Sequence, residues 1–349
     1  MDEEGPRPAS AENASNDPVS GATTLVSSIG ADSKASGWVG LIANANSGVG
    51  AGRDRVARLV QALKRKGLEA RVAWSPADRR LMVEQAEQSP SCRCLVAVGG
   101  DGTVSALINE KPRVPICVLP AGTENLFARH FGLSRHPEEA AETIALGRVI
   151  TLDLGEADGQ RFALMAGIGF DAEVVTRHHL ARIGHSQRVR PTSRVAYVEP
   201  VLRASFEYEF PTLTVRVEDP EPPEVFSGSI AFVFNLPSYA LGLPIAPTAR
   251  EDDGLLDLVV FRDPGPLAAL HYLWLIFRGL HLDRPGVWHR RVRRVSVSSD
   301  VAVPVQLDGD PSGKIHPRTP TPWAARVLPR AVSLLVPERY SSTSARLIS

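Results

Sequence analysis

Two short stretches carry residue types that could do chemistry. Gly99-Gly100-Asp101-Gly102-Thr103 leaves the apolar run Cys94–Val98 and leads into Val104–Asn109. Glycine allows positive φ and close backbone approach, and successive backbone N–H groups at a helix N-terminus form an anion site. The loop therefore suits phosphate oxygens, with Thr103 either capping the helix or donating to a phosphate. It is not a P-loop, because no Gly-Lys-Ser/Thr follows, and its GGDG spacing is not the GxGxxG dinucleotide fingerprint. An aspartate inside an anion-binding loop repels phosphate unless it binds a metal, accepts a hydroxyl or contacts a cation. The bland alternative is a tight turn with Asp101 as a helix cap. The second stretch is Asp308-Gly309-Asp310, at the end of an apolar run. On an extended segment, i and i+2 place both carboxylates on one side; the competing reading is an ordinary Asp-Gly turn.

The elements that must position these residues fall into two halves. Trp38–Ala43 reads as a buried strand followed by turn residues. After it, Val56, Leu59, Val60 and Leu63 recur at the spacing of one helix face, and Gly67 is a natural stop. Strand and helix patterns then alternate to the run Val114–Pro120, which implies a parallel sheet covered by helices, with ligand beyond the carboxyl ends of its strands. The turns at Ser47–Gly52 and Gly99–Thr103 leave strands at that end, as does Pro120–Arg129. From about Val149 the rhythm changes to short strands separated by Gly, Pro and Asp, beginning with a hairpin around Asp158-Gly159. Helices are expected at 194–205 and over the apolar stretch that begins at Pro266. The expected fold is α/β in two domains: a parallel α/β domain over 37–148 bearing the GGDGT loop, and a β-rich antiparallel domain over 149–316. Residues 1–36 are expected to be disordered. Residues 317–349 are expected to form a C-terminal segment whose run Ala331–Val336 could return a strand to the first domain.

Composition narrows the function classes. The 349 residues hold 39 basic and 39 acidic side chains, so net charge is zero. That argues against a nucleic-acid partner, which calls for a basic excess. Three cysteines make no disulfide framework, so a reducing compartment is expected. The start MDEEGPRPAS lacks the apolar core of a signal peptide, and Pro266–Phe277 is too short for a membrane span.

GGDGT, together with Asn44-Ala45-Asn46-Ser47-Gly48 upstream and Pro120-Ala-Gly-Thr-Glu-Asn125 downstream, resembles the diacylglycerol kinase and sphingosine kinase superfamily of lipid kinases. Gly167–Val174 (GIGFDAEV), Asp252–Phe261 (DDGLLDLVVF) and Leu307–Gly313 (LDGDPSG) continue the match in the family's order. GGDGT alone also resembles NAD kinases and phosphofructokinases; the two C-terminal motifs single out the lipid kinases. The resemblance implies that Asn44, Asn46, Ser47 and Gly48 cradle ATP and that Gly99, Gly100, Asp101, Gly102, Thr103 and Ser105 form the main phosphate cradle. Thr123 is implied as a further nucleotide contact, and Asn125 as a residue shaping that pocket. The family pattern at the second acid stretch is Asp-Gly-Glu, in which the glutamate accepts the proton. Asp310 matches it, one methylene shorter, and is expected to be the general base, with Asp308 as partner or alternative. A structural Mg2+ is implied at Asp253 with the carbonyls of Arg250 and Leu255, and a catalytic Mg2+ arriving with ATP near Asp101.

The expected activity is thus ATP- and Mg2+-dependent phosphorylation of a lipid hydroxyl, on diacylglycerol, a sphingoid base or ceramide. The expected location is cytoplasmic and peripheral to the membrane, with lipid and nucleotide as partners and a homodimer left open. The rivals are an NAD kinase-like enzyme and a catalytically silent lipid-binding module of the same fold. Three histidines, His178, His179 and His185, read as part of a solvated basic loop. Like His289–Arg294, that loop could face anionic headgroups. Leu270, Leu273, Trp274 and Phe277 recur at helical spacing and are expected to be core; the alternative is one exposed face that dips into the bilayer interface or walls the acyl pocket, with a lipid role left open for Trp274 or Trp288.

Overall fold

The computed structural model describes residues 27–28, 37–43, 51–184, 206–219, 222–237, 239–317 and 321–341. Asn44, Asn46, Ser47, Gly48, His185 and the helix expected at 194–205 lie outside them. So does most of the 1–36 stretch. Within it, however, Ser27–Ser28 is a short strand, β1, paired antiparallel with Arg148 and Val149.

The first half follows the alternation. Its elements are β2 (Trp38–Ala43), α1 (Ala51–Arg65), β3 (Glu69–Ala73), α2 (Pro76–Gln88), β4 (Cys92–Gly99), α3 (Asp101–Asn109), β5 (Ile116–Pro120), α4 (Leu126–His130) and α5 (Pro137–Leu146). β3, β2, β4 and β5 lie in that order and run parallel. One face buries Val39 and Leu41 against Val56, Leu59 and Leu63 of α1, the stripe read from the sequence. The other buries Ile42, Leu95 and Ala97 beneath α2 and α3. α2 starts on a capping box, Ser75 with Asp78, and α5 stops at Gly147 in the left-handed region. Because β3 and β4 flank β2 on opposite sides, the strand order reverses there. A crevice opens at the carboxyl ends of β2 and β4, the usual ligand position in such sheets.

The second half is a sandwich. β6 (Arg148–Ala157) and β7 (Gln160–Phe162) form the expected hairpin, with Asp158 and Gly159 both at positive φ. Then follow β8 (Met165–Gly169), α6 (Phe170–Gly184), β9 (Leu213–Val217), β10 (Glu224–Gly228), β11 (Ile230–Phe234), β12 (Leu256–Phe261), α7 (Pro266–Phe277), β13 (Val287–Val292), β14 (Arg294–Ser298), β15 (Val303–Leu307), β16 (Asp310–Ile315) and β17 (Trp323–Leu335). Strands β13-β12-β11-β8-β15-β16 make one fully antiparallel sheet. Its inner residues Ile168, Val233 and Val260 pack on Val215, Val297 and Val327 of the facing strands β9, β14 and β17.

Two features depart from the linear reading. The run Phe226–Phe234 divides at Ser229: β10 pairs with β9, while β11 joins the other sheet. The Ser229 hydroxyl donates to the Asp263 carbonyl and its N–H to Phe261, which fixes the corner. The second departure is β17. Its first part pairs with β14, and its last residues run alongside β5, Leu334 opposite Ile116, while β6 follows it along most of its length. A bulge between Leu328 and Val332 bends it, with Arg330 at positive φ and its N–H held by Asp153. One strand therefore belongs to both halves and fixes their relation.

Candidate functional site

The loops after β4, β5 and β15 meet at one place. The Gly99–Thr103 loop and the Pro120–Asn125 loop are in backbone contact: a Cβ on Gly122 would stand 2.7 Å from the Gly100 Cα. None of Gly99, Gly100 and Gly102 has positive φ. The glycines are there for close approach rather than for unusual dihedrals. Asn125 takes a left-handed conformation and locks its own loop, accepting from Gly122 N–H at 2.8 Å and donating to Gly122 O at 2.6 Å. At 2% exposure it is buried within the loop. Thr123 is exposed at the loop tip, and Ser105 is half-buried in the first turn of α3.

Asp101 caps a helix, but not its own. Its two oxygens accept from Leu126 N–H and Phe127 N–H, each at 3.0 Å, so it holds the start of α4. Thr103 makes no capping bond to α3. Burial raises the Asp101 pKa; the two α4 N–H groups oppose this and the Glu124 charge adds to it. Glu124 Oε2 is itself buried without a hydrogen bond and is ion-paired with Arg129 at 3.9 Å.

The Asp308–Asp310 stretch is a turn, not an extended segment. Asp308 and Gly309 have φ of 51° and 86° and form a two-residue hairpin turn between β15 and β16. The two carboxylates therefore do not lie side by side. Asp308 turns inward and accepts from the N–H groups of Ala163, Leu164 and Met165 at 2.7, 2.8 and 3.0 Å. Held by three backbone N–H groups, it positions the turn. Asp310 is exposed on the opposite side, and its Oδ2 lies 3.6 Å from where a Cβ on Gly102 would stand. The acid of the last hairpin thus faces the open glycine of the phosphate loop.

Burial, with a further push from the Asp101 charge, raises the Asp308 pKa to about 6 from its ordinary 3.8, against the three N–H groups. A carboxyl raised on folding contributes stability below its unfolded value, and that contribution is lost as pH rises through the folded one. Thermal melts of wild type and Asp308→Asn at pH 4.5 and 7 check this. The wild type is expected to lose ground to the variant on going to pH 7; a constant difference would contradict it.

A cavity of about 280 Å3 opens beside these loops. Asp101, Glu124, Asp308 and Gly309 lie at one end, and Phe232, Phe261, Leu270, Leu273 and Ile276 wall the other. Its inner polar group is Asp171, which takes hydrogen bonds from Tyr239 Oη and, at 2.7 Å, Gln306 Nε2; burial raises its pKa. The sequence displayed Asp171 inside GIGFDAEV without revealing this role. Gln306, two residues before Asp308, was not signalled at all. The lining by Leu270 and Leu273 also corrects the expectation for α7. Its core face is Tyr272, Leu275 and Ile276, while Leu273, Trp274 and Phe277 are exposed. Trp288 instead packs in the sandwich beside Phe226.

The residues expected to hold a structural Mg2+ do not fit one. Asp253 is ion-paired with Arg291, its other oxygen accepts from Leu255 N–H at 3.0 Å, and Arg250 lies 4.0 Å away. Two guanidinium groups already answer its charge. Among the described residues no cluster of three or more His, Cys, Asp or Glu side chains is placed to hold a metal.

Gly102 and Gly122 provide a test of the loop geometry. Gly102→Ala adds a methyl at ordinary contact distance from Asp310, so stability is expected to be kept while nucleotide affinity falls. Gly122→Ala forces two backbones apart and is expected to lower the melting temperature by several degrees, on the order of 1–3 kcal/mol for overpacking. Equal melting temperatures for the two variants would contradict the described loop contact.

Residues 39–157 match the diacylglycerol kinase catalytic domain family. Residues 166–336 match the YegS C-terminal NAD kinase beta sandwich-like domain. A protein of Mycobacterium tuberculosis named diacylglycerol kinase is 27% identical over 310 residues, 86% of this chain and 96% of the relative. A Pseudomonas aeruginosa protein named "Probable lipid kinase YegS-like" is 29% identical over 303 residues, 82% of this chain and 93% of the relative. A Bacillus anthracis crystal structure titled as a diacylglycerol kinase shares the fold at a TM-score of 0.59 and 18% identity, covering 87% of this chain and 98% of its own.

Proposed function

The chain belongs to the diacylglycerol kinase superfamily of lipid kinases, and from that premise we propose that it transfers the γ-phosphate of ATP to a hydroxyl of a membrane lipid, with diacylglycerol the first candidate. The observation that carries this reading is the exposed Asp310 carboxylate facing Gly102 of the phosphate loop, beside a largely apolar cavity. Phosphoryl transfer asks a protein mainly for positioning and charge stabilisation. The α3 N-terminus and the Gly99–Gly102 backbone bind phosphate oxygens. Asp310 accepts the proton of the lipid hydroxyl as its oxygen bonds to the γ-phosphorus; the bond to the β-phosphate oxygen breaks and ADP leaves with that electron pair. Asp308 holds the turn that carries Asp310, and Asp101 holds α4 against the loop.

Glu124 Oε2, which accepts no hydrogen bond and has only a 3.9 Å ion pair with Arg129, lies beside the half-buried Asp101 and suits a hard divalent cation brought by the nucleotide. Mg2+ held by these two acids and by phosphate oxygens would neutralise charge on the transferring group. The likeness of the second half to NAD kinases is one of fold. The cavity favours a lipid acceptor over a dinucleotide, because its far wall is aromatic and aliphatic.

The test is a panel of acceptors supplied with Mg·ATP: diacylglycerol, a sphingoid base and ceramide in mixed micelles, and NAD in solution. A phosphomonoester on one of the lipids and unchanged NAD is the expected result. Phosphorylated NAD with no lipid product would replace the reading.

A further inference from the structure

The helix α7 holds twelve residues, Pro266–Phe277, none of them Asp, Glu, Lys or Arg. One face, Tyr272, Leu275 and Ile276, is buried in the protein. On the other, Leu267 is 79%, Trp274 49% and Phe277 77% exposed. A run of large apolar side chains standing in water on one helix marks a surface that meets an apolar phase or a partner. Leu270 and Leu273 belong to the same stripe as Trp274 and Phe277 and line the cavity; Leu273 is also exposed. The apolar outer surface is therefore continuous with the wall of the proposed lipid site. Across the cavity, α6 contributes Val174 and Val175 to the wall. Arg278 closes α7 and lies over the Trp274 ring at 5.7 Å, a cation placed at the edge of the apolar patch.

We propose that this face of α7 is the membrane-docking surface of the protein, seated in the interface of an anionic bilayer with Leu267, Trp274 and Phe277 among the acyl chains and Arg278 at headgroup level. The assignment rests on the lipid-kinase reading, because it is the cavity behind Leu270 and Leu273 that makes a bilayer, rather than another protein, the fitting occupant. Docked this way, the cavity mouth opens onto the lipid phase, and a substrate's chain passes from bilayer to pocket without crossing water. The helix lies in the interface; among the described residues no helix is long and apolar enough to cross a membrane.

The test uses the full chain, without ATP, and vesicles of phosphatidylglycerol and phosphatidylcholine. Each exposed apolar side chain moved from water into the interface contributes enough for about a tenfold effect. Leu267→Gln with Phe277→Gln is therefore expected to reduce vesicle partitioning by at least about tenfold, with the melting temperature unchanged. As a second variant, Trp274→Phe keeps the surface apolar. Acyl-brominated lipid is expected to quench a tryptophan component in wild type that is missing from Trp274→Phe. Unchanged partitioning of the double variant, or equal quenching in both proteins, overturns the proposal. So does a dimer that the double variant converts to monomer with partitioning intact. Because no nucleotide is present, the outcome is separable from that of the kinase assay. Vesicle binding through α7 by a protein that phosphorylates no lipid would keep the docking surface and end the kinase reading.

Discussion

Asp310→Asn is expected to slow phosphoryl transfer to lipid by about 10^2–10^4-fold, the usual contribution of a positioned general base. The amide keeps the shape of the side chain and removes its capacity to take a proton. Asp310 is exposed and starts β16 after the turn, so the melting temperature should stay within about 1–2 °C, as for surface substitutions that break no cap or buried network. Nucleotide affinity should change little, because the proposed mechanism has phosphate held by the backbone of the Gly99–Thr103 loop. Asp310→Glu restores the side chain usual at this position in the family. It is expected to keep transfer well above the Asn variant, provided the extra methylene is accommodated on the open side of Gly102. A variant with asparagine that retains more than about a tenth of wild-type turnover would mean that the proton goes elsewhere.

The largest effect on stability is expected one turn inward. Asp308→Ala strands the N–H groups of Ala163, Leu164 and Met165 at the junction of β7 and β8. A buried donor left without its partner costs about 1–3 kcal/mol, so three of them put the loss at roughly 3 kcal/mol or more even after local relaxation. For a chain of this size that corresponds to a fall of about 4 °C. Asp308→Asn keeps one acceptor oxygen and should fall between alanine and wild type at neutral pH. Activity should fall with Asp308→Ala because Asp310 depends on the same hairpin, but residual transfer should show an unchanged pH profile, since Asp308 positions and does not accept the proton. A melting temperature within 2 °C of wild type would contradict the described network.

Much of this molecule was legible in its sequence, for reasons that differ by element. The α1 stripe and the strand-helix alternation are local periodicities, and they survive folding because each element buries the face its own pattern marks. The Asp158-Gly159 hairpin was legible because a type I′ turn demands left-handed residues. The same chemistry at Asp308-Gly309 was outweighed by the expectation of an extended pair, and there the local turn signal prevailed. What stayed hidden depends on distant contacts. Asp101 caps a helix that begins twenty-five residues later, and Asp171 meets Gln306 across 135 positions; no spacing rule reports either. In Phe226–Phe234 the division at Ser229 comes from a partner carbonyl of Asp263. The α7 helix carries no Asp, Glu, Lys or Arg, so periodicity could not say which face is core. Leu273, Trp274 and Phe277 were assigned inward for lack of any polar side to exclude them.

The most direct measurement of the central claim is transfer of label from γ-labelled ATP into solvent-extractable lipid, with wild type and Asp310→Asn run side by side on diacylglycerol in vesicles. The account predicts a labelled phosphomonoester of the lipid with wild type and its loss, by at least about a hundredfold, with the variant. Equal incorporation by the two proteins, or no labelled lipid from wild type on any hydroxylated lipid supplied, would contradict it.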